Sequence, residues 1–299
     1  MTNRRDFLRY AGALMAALGL PEVVRAEDEP GLPTRPIPGT DELLPVVGLG
    51  NSQAFRDGDL ERTRMLLELF LSRGGSYVDV SGDSRYVVAR VARAMGVQNG
   101  LFFGTYIGET DEEAESADAR RVVGAQGKPI LDLALTRRID EFSRHRDRFQ
   151  RLKAEGLVRY IGVARHRLEY HEPMMALMEA GAVDFVQVNY SMLEPEAGER
   201  LLPMARDLGV AILINRPFVN GDYFGRVRGH PLPAWAAEFD CDSWAQFSLK
   251  FILSHPAVNC VLTETANPRH LVDNLGGGFG RLPDEAMRAR MLRTIRDLT

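Results

Sequence analysis

The chain reads as an α/β protein, a closed (β/α)8 TIM barrel with an extra C-terminal helix. Three observations predict this. Short apolar runs of strand length recur eight times, a segment of helical length follows each, and the stretch from residue 43 onward suits one barrel of typically ~250 residues. An open sheet also alternates strands with helices, but eight consecutive units fit closure better.

The first element precedes the barrel. Asn3-Arg4-Arg5-Asp6-Phe7-Leu8-Arg9 forms a twin-arginine head, Tyr10–Leu20 is apolar all round, and Val24-Arg25-Ala26 supplies small residues for cleavage after Ala26. The apolar stretch is shorter than the ~20 residues a helix needs to span a bilayer, and Pro21 ends it. Residues 1–26 are therefore expected to be a signal peptide. It would hand the folded chain to the twin-arginine translocation machinery, for the periplasm or another exported location. Residues 27–42, rich in Pro, Gly and acid, read as a linker, and 43–299 as the barrel.

Strands are expected at Leu44–Leu49, Tyr77–Val80, Leu101–Tyr106, Ile130–Leu135, Tyr160–Val163, Phe185–Asn189, Ala211–Asn215 and Val258–Leu262. Helical patterns fall at Leu60–Ser72, Ile139–Glu155, Pro195–Leu208 and Ser243–Leu253. The third unit, 107–128, is acidic and then arginine-rich, so its helix is expected to be short. Asn220–Asp242 reads as a longer loop, with Trp235 and Trp244 packing it against the barrel, and Pro283–Leu298 reads as the extra helix.

Composition narrows the function classes. A 45% apolar content builds a large core, while a net charge of −4 and a pI near 5.9 argue against nucleic acid as the main partner. Nothing after Leu20 is long enough to cross a membrane, and no His/Cys/Asp cluster has metal-ligand spacing. Cys241 and Cys260 would meet an oxidising compartment. A disulfide between them is one reading; a buried thiol at Cys260, inside a strand-like run, is the other. A small-molecule ligand or substrate is the partner that remains.

In such barrels chemistry gathers where strands end. Those positions are Gly50-Asn51, Asp79, Tyr106, Arg137, Ala164-Arg165-His166, Asn189-Tyr190, Asn215-Arg216 and Thr263-Glu264. Four longer stretches in this order carry a resemblance: Leu152–Val163, Asp184–Ser191, Ile214–Phe218 and Ala245–Pro256. With them, the chain resembles the aldo/keto reductase family over about 43–282, and its Asn215-Arg216-Pro217-Phe218 run looks like an exported bacterial branch.

The resemblance implies hydride transfer between NADP(H) and a carbonyl. A tyrosine donates the proton, a lysine oriented by an aspartate lowers its pKa, and a histidine positions the carbonyl oxygen. A phenol near pKa 10 is a poor acid at neutral pH, and a nearby cation brings it into range. Carried over position by position, the aspartate is Asp79, but the tyrosine falls at Ser84, the lysine at Tyr106 and the histidine at Arg137. On the cofactor side Gln187 matches the glutamine at the nicotinamide amide and Asn274 the asparagine at the adenine. Asn215, Arg216, Thr265 and Arg269 fall at or beside the other contacts. Glu264 and His270 stand where a lysine or glycine and an arginine line the adenosine phosphate, and a carboxylate facing a phosphate costs free energy.

Two readings stay open. One is an NADP(H)-dependent oxidoreductase with a modified site. The other is a non-catalytic barrel, a pseudoenzyme, that grips a small anion through Arg137, Arg165 and Arg216, each able to offer two parallel hydrogen bonds. Asp79 either orients a catalytic group or pairs with Arg137. Tyr106 either substitutes as the acid or fills space.

Overall fold

The computed structural model describes residues 31–107 and 112–298. The expected twin-arginine signal, with its expected cleavage after Ala26, lies outside them. The chain opens with two short strands, β1 (Thr34–Pro36) and β2 (Leu43–Pro45). Eight more follow: β3 (Val47–Leu49), β4 (Tyr77–Val80), β5 (Phe102–Tyr106), β6 (Leu131–Thr136), β7 (Val158–Ala164), β8 (Phe185–Asn189), β9 (Ala211–Asn215) and β10 (Val258–Thr263). These eight pair in parallel and close into a barrel, β10 meeting both β3 and β9. Every residue of β3, β4, β6, β8 and β10 is buried, because lumen side chains cover one face and helices the other. The extra helix is Glu285–Asp297, begun by the Asp284 carboxylate accepting from the Met287 N–H at 2.8 Å.

Four elements differ from the sequence expectation. Leu44 does not belong to the first barrel strand. β1 and β2 pair antiparallel as a hairpin inside what reads as linker, since three-residue strands carry too little pattern to be seen. The third helix is not short but runs from Glu112 to Gln126. Its buried stripe is thin (Ala119, Val122 and Gln126), and Asp118 ties it to the preceding helix through Arg85 at 2.8 Å. The helix expected from Pro195 begins at Leu201. A 3-10 turn, Glu196–Gly198, precedes it, and Gly198 lies so close under the Tyr190 ring that a Cβ would stand 2.9 Å from it. The long loop holds a helix, Asp222–Val227, and a 3-10 turn, Ala234–Phe239. Trp235 packs there on Phe247 at 5.6 Å and beneath Arg290 at 4.2 Å.

The hairpin plugs the barrel floor. Ile37 and Leu44 join Phe102, Leu133, Phe185 and Cys260 in one lumen cluster. Polar anchors hold it. Arg35 donates to the carbonyls of His255, Val258 and Leu253, while Asn259 donates to the Pro36 carbonyl at 2.9 Å and accepts from the Ile212 N–H at 2.7 Å. Below the lumen, Glu42 pairs with Arg159 and accepts from the Tyr160 hydroxyl at 2.8 Å. Cys241 and Cys260 are both free buried thiols. No helix among the described residues is long and apolar enough to cross a membrane, and none of their His, Cys, Asp or Glu groups forms a metal-binding cluster.

Tyr77 fills the lumen centre between two glycines. A Cβ on Gly48 would stand 2.9 Å from its ring, and one on Gly104 would stand 2.4 Å from its hydroxyl. Gly104→Ala is therefore expected to destabilise the fold by about 1–3 kcal/mol, since Tyr77 is fully buried and has nowhere to retreat. Urea unfolding checks this, and an unchanged midpoint would refute it.

Candidate functional site

Strand parity builds the site. Side chains two apart along a strand share a face, so Asp79 follows Tyr77 into the lumen, Tyr106 follows Gly104, and Gln187 follows Phe185. At this level hydrogen bonds converge on Gln187. Its amide N–H donates to Asp79 Oδ2 at 2.9 Å, and its carbonyl oxygen accepts from the Tyr106 hydroxyl at 2.8 Å and from Asn215 at 3.4 Å. From beneath, the Tyr77 hydroxyl donates to the same Asp79 Oδ2 at 2.9 Å. Asp79 Oδ1 accepts no hydrogen bond from any described residue.

Burial pushes the Asp79 carboxyl up to about 7, against the two donors on Oδ2; Glu264 adds repulsion and Arg137 opposes it. Burial and the nearby Asp79 hold both Tyr77 and Tyr106 well above the ordinary phenol value, and Arg137 offsets this only in part at Tyr106. Arg137 forms no ion pair with Asp79. Its guanidinium lies over the Tyr106 ring, 3.7 Å from the centroid. Ser84 opens the helix Ser84–Met95, buried, with no hydrogen bond to this network. Thus Asp79, Tyr106, Arg137, Gln187 and Asn215 come together, and Ser84 does not join them.

Around the rim the other arginines are partly engaged. Arg165 lies over the Tyr170 ring at 4.5 Å, and Arg216 pairs with Glu194 at 3.5 Å, which also accepts from Asn189 at 2.8 Å. Burial and Arg216 lower the pKa of His166, favouring its neutral form. Five buried polar atoms on this rim have no hydrogen-bond partner among the described residues: Asn51 Oδ1, Arg165 Nε, Asn189 Oδ1, Asn215 Oδ1 and Arg216 Nε. Each such atom costs about 1–3 kcal/mol unless a ligand or water meets it.

Beside the rim, two adjoining cavities of about 440 and 330 Å³ share Phe218, Phe224, Glu264 and Thr265, so they form one groove. Arg56 and Arg216 line the first, and His270, Asp273 and Asn274 the second. The groove wall is backbone under strain. Arg216, Val219 and Asn220 adopt φ of 50°, 48° and 56°, a region that costs non-glycine residues free energy, most of all a β-branched valine. The Ser248 hydroxyl, donating to the Pro217 carbonyl at 2.9 Å, braces this turn.

A model of the aldo/keto reductase family matches residues 138–290. The chain belongs to the aldo/keto reductase family. Solved aldo-keto reductases share its fold at low identity. The holo form of one from Bacillus halodurans superimposes with a TM-score of 0.72 at 16% identity, over 88% of this chain and 96% of that one. One from Klebsiella pneumoniae, in complex with NADP and acetate, gives 0.68 at 19% identity, over 86% and 94%. In sequence, an NADH-specific methylglyoxal reductase of Escherichia coli K12 is 32% identical over 89 residues, 28% of this chain. That match spans only a quarter of the relative's length (25%).

Within this reductase fold, Arg216, Thr265 and Asn274 line the groove, while Gln187 and Asn215 belong to the lumen network, Asn215 directly preceding Arg216 in the chain. Arg269 lies on the helix Pro268–Gly276 beside it. Glu264 does not face Arg165 or Arg137 as a partner; it pairs with Arg56 at 3.4 Å. Sequence reasoning missed Tyr77 and Arg56. The signal for Tyr77 was its parity with Asp79, together with mid-strand glycines at 48 and 104.

Proposed function

We propose that this chain is a nicotinamide-dinucleotide-dependent carbonyl oxidoreductase whose proton donor is Asp79. The observation that carries the reading is the set of five unpartnered buried polar atoms at the strand ends, one of them on Arg216, which lines the groove. A dinucleotide presents matching chemistry: a carboxamide that donates and accepts, and a pyrophosphate that accepts. Asn189, Asn215 and Gln187 would hold the nicotinamide end, Arg56 and Arg216 the pyrophosphate, and Thr265 and Asn274 the adenosine end.

Such a group supplies hydride to a carbonyl carbon. The chain's own part is the proton. Below pH 7 Asp79 is neutral and gives its proton from the unbonded Oδ1 to the carbonyl oxygen. The Tyr77 hydroxyl and the Gln187 amide then steady the carboxylate left behind. Tyr106, its phenol raised by burial, keeps its proton and fixes Gln187. Arg137 and Arg165 favour a carbonyl compound that carries an anionic group. We further propose that the twin-arginine head at Arg4-Arg5 sends the folded protein to the periplasm with its dinucleotide bound.

Titrating the full chain with NADH or NADPH, followed by nicotinamide fluorescence, is expected to saturate. Asp79→Asn should keep that binding and lose at least tenfold in reduction of methylglyoxal or a carboxylated analogue. The buried, unpartnered Arg165 and Arg216 Nε atoms favour a second reading, a non-catalytic anion-binding barrel. No saturable dinucleotide binding, with thermal stabilisation by small dicarboxylates, would replace the first reading by the second.

A further inference from the structure

Charge is distributed unevenly along the groove. Its lumen-side cavity carries two cations, Arg56 and Arg216, against the single carboxylate of Glu264. The outer cavity reverses this. Glu264 and Asp273 line it together with His270, and no arginine or lysine is among its described lining residues.

The outer carboxylates are held in place. Asp273 Oδ1 accepts from the Ser243 hydroxyl at 2.8 Å and from the Gln246 amide at 2.9 Å, which fixes the carboxylate while its other oxygen takes no described donor. Glu264 pairs with Arg56 at 3.4 Å and lines both cavities, at their boundary. Aromatic faces complete the cavity. Phe218 and Phe224 meet at 4.8 Å, and the Trp244 indole is fixed by its N–H donating to the His230 carbonyl at 2.9 Å.

Such a compartment suits a flat ring that stacks on the aromatics and a sugar whose hydroxyls donate to carboxylates. It opposes a phosphate dianion, which needs cations and would meet two negative charges there. The cation-bearing cavity next to it suits the pyrophosphate.

Resting on the dinucleotide reading above, we infer that the groove selects NAD(H), whose adenosine ribose keeps both hydroxyls free. It discriminates against the 2′-phosphate of NADP(H). Glu264 and Asp273 are the specificity-determining residues.

The test compares dissociation constants of the full chain for NADH and NADPH at one ionic strength, read by nicotinamide fluorescence. NADH is expected to bind at least tenfold more tightly. Glu264→Lys should weaken NADH binding and improve NADPH binding at least tenfold, so that the preference narrows or reverses. Because the Glu264 side chain is 57% exposed, the variant should retain the parent melting temperature, which is measured alongside. NADPH binding as tight as NADH, in a parent that binds both, overturns the selectivity and leaves the dinucleotide reading standing. Failure of both to bind overturns the two together.

Discussion

Asp132→Ala is expected to remove about 3–5 kcal/mol of stability, a large part of what a domain typically has. The Asp132 carboxylate is almost fully buried and serves three donors: the Phe103 N–H at 2.8 Å, the Lys128 ammonium and the Arg159 guanidinium at 3.1 Å. Truncation leaves Lys128 without a carboxylate, takes from Arg159 one of its two, the other being Glu42, and leaves a strand N–H unpaired. Lys128 keeps only the Leu101 carbonyl, at 2.7 Å. Asp132→Asn should cost less, because the amide oxygen still accepts. Urea unfolding of both variants measures this, and a loss below about 1 kcal/mol for the alanine variant would refute it.

Asp79→Asn should separate from the parent most clearly with pH. The folded carboxyl titrates near 7 against an ordinary value of 3.8, so folding favours the protonated form. Its contribution is therefore fully present below pH 3.8 and is lost as pH rises through about 7. Across that range the loss reaches about 4 kcal/mol, of which about 2 kcal/mol falls between pH 5.5 and 8.5. Asparagine keeps an acceptor for Tyr77 and Gln187 but cannot ionise. The variant should match the parent only below about pH 3.8 and exceed it by a growing margin as pH rises to 8.5. Groups common to both chains, including Glu264, Arg137 and the two phenols, cancel in the difference. Parallel stability curves would mean that Asp79 is not the buried acid described.

Much of this was legible from residue order. A parallel barrel strand is buried on both faces, so β4, β6 and β9 stand out as apolar runs, and their ends named Asp79, Arg137 and Asn215 in advance, while Gln187 came from the family resemblance. The hairpin was hidden because three residues give no period. The Glu112–Gln126 helix was hidden because its apolar stripe is narrow and its hold on the neighbouring helix is an Arg85–Asp118 pair remote in sequence. The site's inner logic was hidden for a third reason. Whether Tyr106 reaches Gln187, or Arg137 lies across Tyr106 instead of meeting Asp79, depends on side-chain direction between strands distant in the chain.

The hairpin seal has a kinetic corollary. With Ile37 and Leu44 stoppering one end, the well is blind, and every molecule must enter and depart over the same lip.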